Sequence, residues 1–157
     1  MNTARQFIAA AAALVSGRGL SFAQSTTTTT AAEGSTAPYT EGSVWQITMI
    51  KTKPGMTDDY LKGLSKSLKA SLEEGKKQGF IVSYKILLGE ASSPPDYNVM
   101  TMVEYKNMAA LDNLRAKTDP IAQKTIGGED QQREAAMKRA EIREIFGNKL
   151  MREITLK

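Results

Sequence analysis

The 157-residue chain contains no cysteine and no histidine. Without cysteine no disulfide can staple the fold, so stability has to come from packing. Without histidine the commonest metal ligand and general base is missing. The usual proximal haem ligand and every Ser-His or Cys-His triad go with it. Blocks of like charge are also absent. The 21 basic and 17 acidic residues are interleaved, which argues against a nucleic-acid-binding arm. Beyond the N-terminal region, no segment is long and apolar enough to span a bilayer.

What is present begins with a leader. Arg5 precedes an apolar run from Phe7 to Val15, and Ser21-Phe22-Ala23 supplies small residues at the two positions a signal peptidase reads. The run is too short for a membrane span. Residues 1–23 therefore read as a signal peptide cut after Ala23, and the product as periplasmic or secreted. The net charge of +4 includes Arg5 and Arg18, which would leave with that peptide. Residues 24–43 are rich in Thr, Ser and Gly and are expected to form a disordered leader. A single domain is expected over residues 44–157.

The domain is organised around Tyr97–Leu114. Val99, Met100, Met102 and Val103 surround a single Thr101, the pattern of a central strand. Asn107 is a fitting N-cap, and Met108, Leu111 and Leu114 share one helical face. Val44–Lys51 reads as the first strand. Pro54-Gly55 turns the chain, and Thr57 is the expected cap of a long helix with the stripe Leu61, Leu64, Leu68 and Leu72. Gly79 closes that helix, and Phe80–Leu88 reads as the second strand. Asp119-Pro120 is expected to restart a short helix to Ile126. A third helix is expected over Glu129–Phe146, and the last strand over Leu150–Leu156.

This order, β-α-β-β-α-(α-α)-β, predicts an α+β, ferredoxin-like, four-stranded antiparallel sheet with helices on one face. The strands carry apolar residues on both faces, so the uncovered face calls for the sheet of a second copy. A homodimer is expected, with Ile50 or Ile81 on the shared face.

The strand ending in Lys51-Thr52-Lys53-Pro54-Gly55, the long helix after it, the junction Glu104-Tyr105-Lys106-Asn107-Met108-Ala109-Ala110-Leu111 and the closing strand resemble the dimeric α/β-barrel superfamily. Antibiotic biosynthesis monooxygenase-like proteins and secreted bacterial proteins of unassigned function belong to it. The resemblance implies two sheets facing across a dimer barrel and a pocket between each sheet and its own helices. Haem-dependent members use a histidine ligand that this chain lacks. Cofactor-free oxygenases of the type use Asn, Trp and Tyr near the substrate. Trp45, Tyr84, Asn98 and Tyr105 are of those types, but they do not match the pattern residue by residue.

Arg152 stands between Leu150 and Ile154, where a charge needs a partner. It reads as an anion clamp in a pocket or, the favoured alternative, as half of an ion pair with Glu104 or Glu153 or a strand-end residue reaching water. Lys85 raises the same question, with Glu104 as its cross-strand partner. Asp58-Asp59 and Glu129-Asp130 each open a helix, where the dipole explains them, so no metal is expected. No cofactor is expected either. Three functions are consistent with these residues: a secreted homodimer binding a small apolar or amphipathic molecule, a cofactor-independent monooxygenase or isomerase on an aromatic or polyketide-like compound, and an interaction module without a pocket.

Overall fold

In the computed structural model, residues 36–157 are described. Four strands, β1 (Tyr39–Thr52), β2 (Ser83–Leu88), β3 (Val99–Tyr105) and β4 (Arg143–Leu156), form one antiparallel sheet in the order β2-β3-β1-β4. Four helices accompany it: α1 (Thr57–Lys66), α2 (Leu68–Lys77), α3 (Leu114–Thr125) and α4 (Glu129–Ile142). The apolar run of β3 lies in the sheet interior, between β2 and β1.

Register decides which residues meet the helices. Val44, Gln46, Thr48 and Ile50 of β1 pair with Tyr105, Val103, Thr101 and Val99 of β3, and this set faces the helical layer. Ile50 and Val99 form a buried cluster with Tyr60 and Leu64, against which Leu61, Leu68 and Ile142 pack. Tyr105 forms a second with Leu72 and Ile81, joined by Tyr84, Leu111 and Leu114. The alternate residues Trp45, Ile47, Met49, Met100, Met102 and Met151 occupy the opposite face. None of the described helices packs on them.

Several boundaries differ from the sequence-based expectation. The ordered domain begins before Val44, because Tyr39, Thr40 and Glu41 pair with Leu156, Thr155 and Ile154. The expected signal peptide and most of the expected leader lie outside the described residues. The long helix is two helices. At Ser67 the backbone departs to φ −107°, and the Ser67 hydroxyl donates to the Gly63 carbonyl at 2.9 Å, the local competition that bends helices at serine. The second strand starts at Ser83 rather than Phe80.

The helix expected to reach Phe146 stops at Ile142. Arg143, Glu144 and Ile145 instead pair with Thr52, Lys51 and Ile50, so β4 begins at Arg143, well ahead of the expected Leu150 start. Strand pairing outweighs the helical pattern there. Pro120 does not restart a helix but sits inside α3, where burial of the adjacent Ile121 overrides the local start signal. Thr57 is the first residue of α1 and not its cap. Asn107 does cap, accepting from the Ala110 amide at 3.1 Å, but the element it opens is a short 3-10 turn, Met108–Leu111. Asn113 then takes φ 54°, a left-handed conformation that asparagine tolerates, and α3 begins.

Candidate functional site

The cleft between the sheet and its own helices is built from six elements and Ile126, the residue that follows α3. Its floor is Thr48 and Ile50 of β1, Thr101 of β3, and Ile145 and Asn148 of β4. Its roof is Tyr60 and Leu64 of α1, Leu68 and Ser71 of α2, and Ile126. Arg139 of α4 and Arg143 of β4 close one side, and the cleft, open to solvent on another, has a volume of about 320 Å³. The two arginines come together because α4 passes into β4 without a loop: Ile142 ends the helix and Arg143 is already extended at φ −145°, ψ 161°.

Several of the cleft's small polar groups are bonded within the protein. Thr48 donates to the Asn148 side-chain oxygen at 2.7 Å. Ser71 meets Thr125 at 2.9 Å, and Thr125 donates to the Ile121 carbonyl at 2.8 Å. The guanidiniums differ. None of the ion pairs among the described residues involves Arg139 or Arg143, although the more exposed Arg115, Arg133 and Lys138 are each paired. The Arg143 Nε is buried and has no hydrogen-bond partner.

Tyr60 is only 2% exposed, and the Arg143 guanidinium carbon lies 5.5 Å from its ring centroid. Burial pushes the Tyr60 hydroxyl above its ordinary pKa, while the charges of Arg143 and Arg139 and a hydrogen bond with Arg143 pull it down without cancelling the rise. The hydroxyl therefore stays protonated near neutral pH, as a donor and not a base. Burial and the neighbouring Arg143 charge lower the Arg139 pKa, the signature of a cation that lacks an acidic partner.

The candidates named from sequence are not brought together. Trp45 lies on the open face, where its indole donates to Glu153 at 3.1 Å and the Lys85 ammonium sits 5.2 Å from its ring. Tyr84 and Tyr105 lie on the helical side and share one core cluster. Tyr84 donates to Glu73 at 2.7 Å and Tyr105 to Gln46 at 3.2 Å, and burial helps raise both pKa values, with the Glu73 hydrogen bond the larger cause at Tyr84. Asn98 is a structural clasp: its oxygen accepts from the Thr52 amide at 2.9 Å, and its nitrogen donates to Thr52 Oγ1 at 2.8 Å and Thr57 Oγ1 at 3.4 Å.

Arg152 pairs with Glu41, not with Glu104 or Glu153, because the register sets it beside Val44 near the bulge that brings Glu41 within reach. Lys85 turns to Trp45, and Glu104 accepts instead from Ser83 at 2.5 Å. None of the five lines the sheet–helix cleft.

Tyr60, Arg139 and Arg143 were missed. One signal was available. Two arginines four residues apart repel on a continuous helix, which argued against helix through Arg143. Among the described residues no group of His, Cys, Asp and Glu is arranged to hold a metal.

No protein-family model and no curated protein sequence matches the chain. Solved structures with a related arrangement include a dimeric ferredoxin-like protein from an uncultured marine organism, at 12% identity and TM-score 0.47, covering 75% of this chain and 98% of that one. HapK from Hahella chejuensis shares 12% identity at TM-score 0.46, covering 70% and 91%. A nipsnap family protein with unknown function from Agrobacterium tumefaciens shares 14% identity at TM-score 0.43, covering 73% and 89%. None reaches a TM-score of 0.5, and the fold is assigned from this chain's own strand order and pairing. An antiparallel sheet ordered β2-β3-β1-β4, with helices packed on one face, makes residues 36–157 a ferredoxin-like α+β domain.

Proposed function

We propose that the protein is an exported homodimer that takes up a small amphipathic molecule between its sheet and its own helices. The cleft carries this reading. Ile50, Leu64, Leu68, Ile126 and Ile145 give it an apolar wall, and Tyr60, Arg139 and Arg143 give it one polar end. Recognition sites of this kind combine a mostly apolar lining with a few placed polar groups.

The neutral fluorophore N-phenyl-1-naphthylamine tests the apolar part. It should brighten on binding at about one site per chain, and substituting Ile126→Trp to fill the cleft should abolish the signal while the thermal melt stays cooperative. No brightening, together with no retained small molecule in native mass spectrometry of protein from its own source, would remove the reading.

Two further parts of the proposal rest on other observations. The open sheet face bearing Ile47, Met49, Met100, Met102 and Met151 supports the dimer, because a contiguous apolar surface of this kind is costly on a monomer. The apolar run Phe7–Val15 followed by Ser21-Phe22-Ala23 supports export. Material recovered from outside the cytoplasm should begin at Gln24, and an intact Met1 on that material would count against export.

A further inference from the structure

The polar end of the cleft holds two positive charges and no negative one. Arg139 and Arg143 both line it, neither forms an ion pair, and each is partly buried. Holding two guanidiniums side by side out of bulk water costs free energy through desolvation and like-charge repulsion, and a protein normally offsets it with a carboxylate. Here the carboxylates nearest in sequence point elsewhere. Glu134 is bonded to Lys138 at 2.6 Å, Glu141 is exposed with its charge acting on Lys138 and does not line the cleft, and Glu144 sits opposite Lys51 on the strand pairing. The Arg143 Nε is left buried without an acceptor, and buried donors in folded proteins nearly always have one. The Tyr60 ring beneath the Arg143 guanidinium adds a hydroxyl at the same end.

We infer that the cleft selects an organic anion, a carboxylate on an apolar body, with the carboxylate seated between Arg139, Arg143 and the Tyr60 hydroxyl. This rests on the cleft being the ligand site and adds the chemical class of the ligand. A carboxylate fits because a guanidinium presents parallel N–H donors to its two oxygens. An anion arriving there neutralises the repulsion between the two arginines and supplies the acceptor Nε lacks. The body then lies along Ile50, Leu64, Leu68 and Ile145.

The experiment compares naphthalene-2-carboxylate with naphthalene-2-methanol, a pair of the same apolar body with and without charge, by fluorescence titration of the full protein. The carboxylate should bind at least about tenfold tighter, a difference of ~1.4 kcal/mol. Arg139→Gln and Arg143→Gln should each remove most of that preference, weakening the carboxylate far more than the alcohol. Arg143 stands at a strand end beside buried Tyr60, so its variant is first checked by thermal melting; if it does not fold, Arg139→Gln on the more exposed helix decides alone. Equal affinity for the two compounds, or a preference that survives Arg139→Gln, overturns the anion assignment while leaving the cleft as an apolar site. Binding of neither compound, with N-phenyl-1-naphthylamine also silent, overturns the cleft reading itself.

Discussion

Two glycines in neighbouring helices show how far a single atom matters. A Cβ added at Gly63 in α1 meets nothing within 4 Å, so alanine there should gain helix propensity, about 0.5–1 kcal/mol. A Cβ at Gly75 in α2 would stand 2.6 Å from Ile81 Cδ1 and 3.0 Å from Phe80 Cζ. Ile81 is itself buried and packed against Leu72 and Tyr105, so it has nowhere to move. Overpacking costs of ~1–3 kcal/mol then outweigh the propensity gain. Gly63→Ala should raise the melting temperature and Gly75→Ala lower it. The same sign for both in calorimetry would mean that the α2–Ile81 contact is looser than described. Composition reports neither result, since both glycines sit among lysines and leucines in a helical pattern.

At the scale of elements, what the sequence made legible was existence and order. Four strands, the helices between them, the Asn107 cap and the left-handed Gly79 at the end of α2 all follow from local chemistry. Boundaries did not, because pairing across the sheet sets them. Arg143-Glu144-Ile145 is helical by its local pattern, yet it lies in register with Thr52-Lys51-Ile50 and becomes strand. That one shift hid the candidate site, since it carries Arg143 from a helix surface to the cleft wall. The aromatic candidates lie apart for a related reason: period-two alternation separates Trp45 from Tyr84 and Tyr105, and a register unknown from sequence decides which side each takes. The same pairing moves the start of the domain to Tyr39. Amide exchange tests it: the Tyr39–Glu41 segment, held against Leu156–Ile154 and by the Lys157 amide donating to the Pro38 carbonyl at 3.0 Å, should exchange far more slowly than unstructured chain. Removing residues 36–43 should lower stability. Unprotected amides and an unchanged melt would return the boundary to Val44.

For the whole molecule the question is what covers the second face of the sheet. Ile50 and Ile81, expected as residues of a shared face, are both buried under the helices, so their replacement by lysine reports on the core of one copy. The informative positions are Ile47 and Met100, on the open face of the two central strands. Methionine adapts its shape to an irregular partner, and Glu153 and Glu104 on this face are engaged with Trp45 and Ser83. A two-fold pairing that buries on the order of 1,600 Å² would suffice for a stable dimer. Sedimentation equilibrium at micromolar concentration should give twice the mass of the single chain, and Met100→Lys should give a folded monomer. A wild-type monomer would leave the open face without this partner.

Of the four described strands, the first to be made lies at the heart of the sheet, and one of its two neighbours is the last of the four. Trp45 and Glu153, joined by a hydrogen bond, are 108 positions apart. The β1–β4 ladder therefore cannot close on a nascent chain until β4 itself has been made. Contacts of such long range also slow folding, because the loop must be closed before it is rewarded. A chain built this way leaves the edge of its central strand unpaired for as long as the closing strand is withheld.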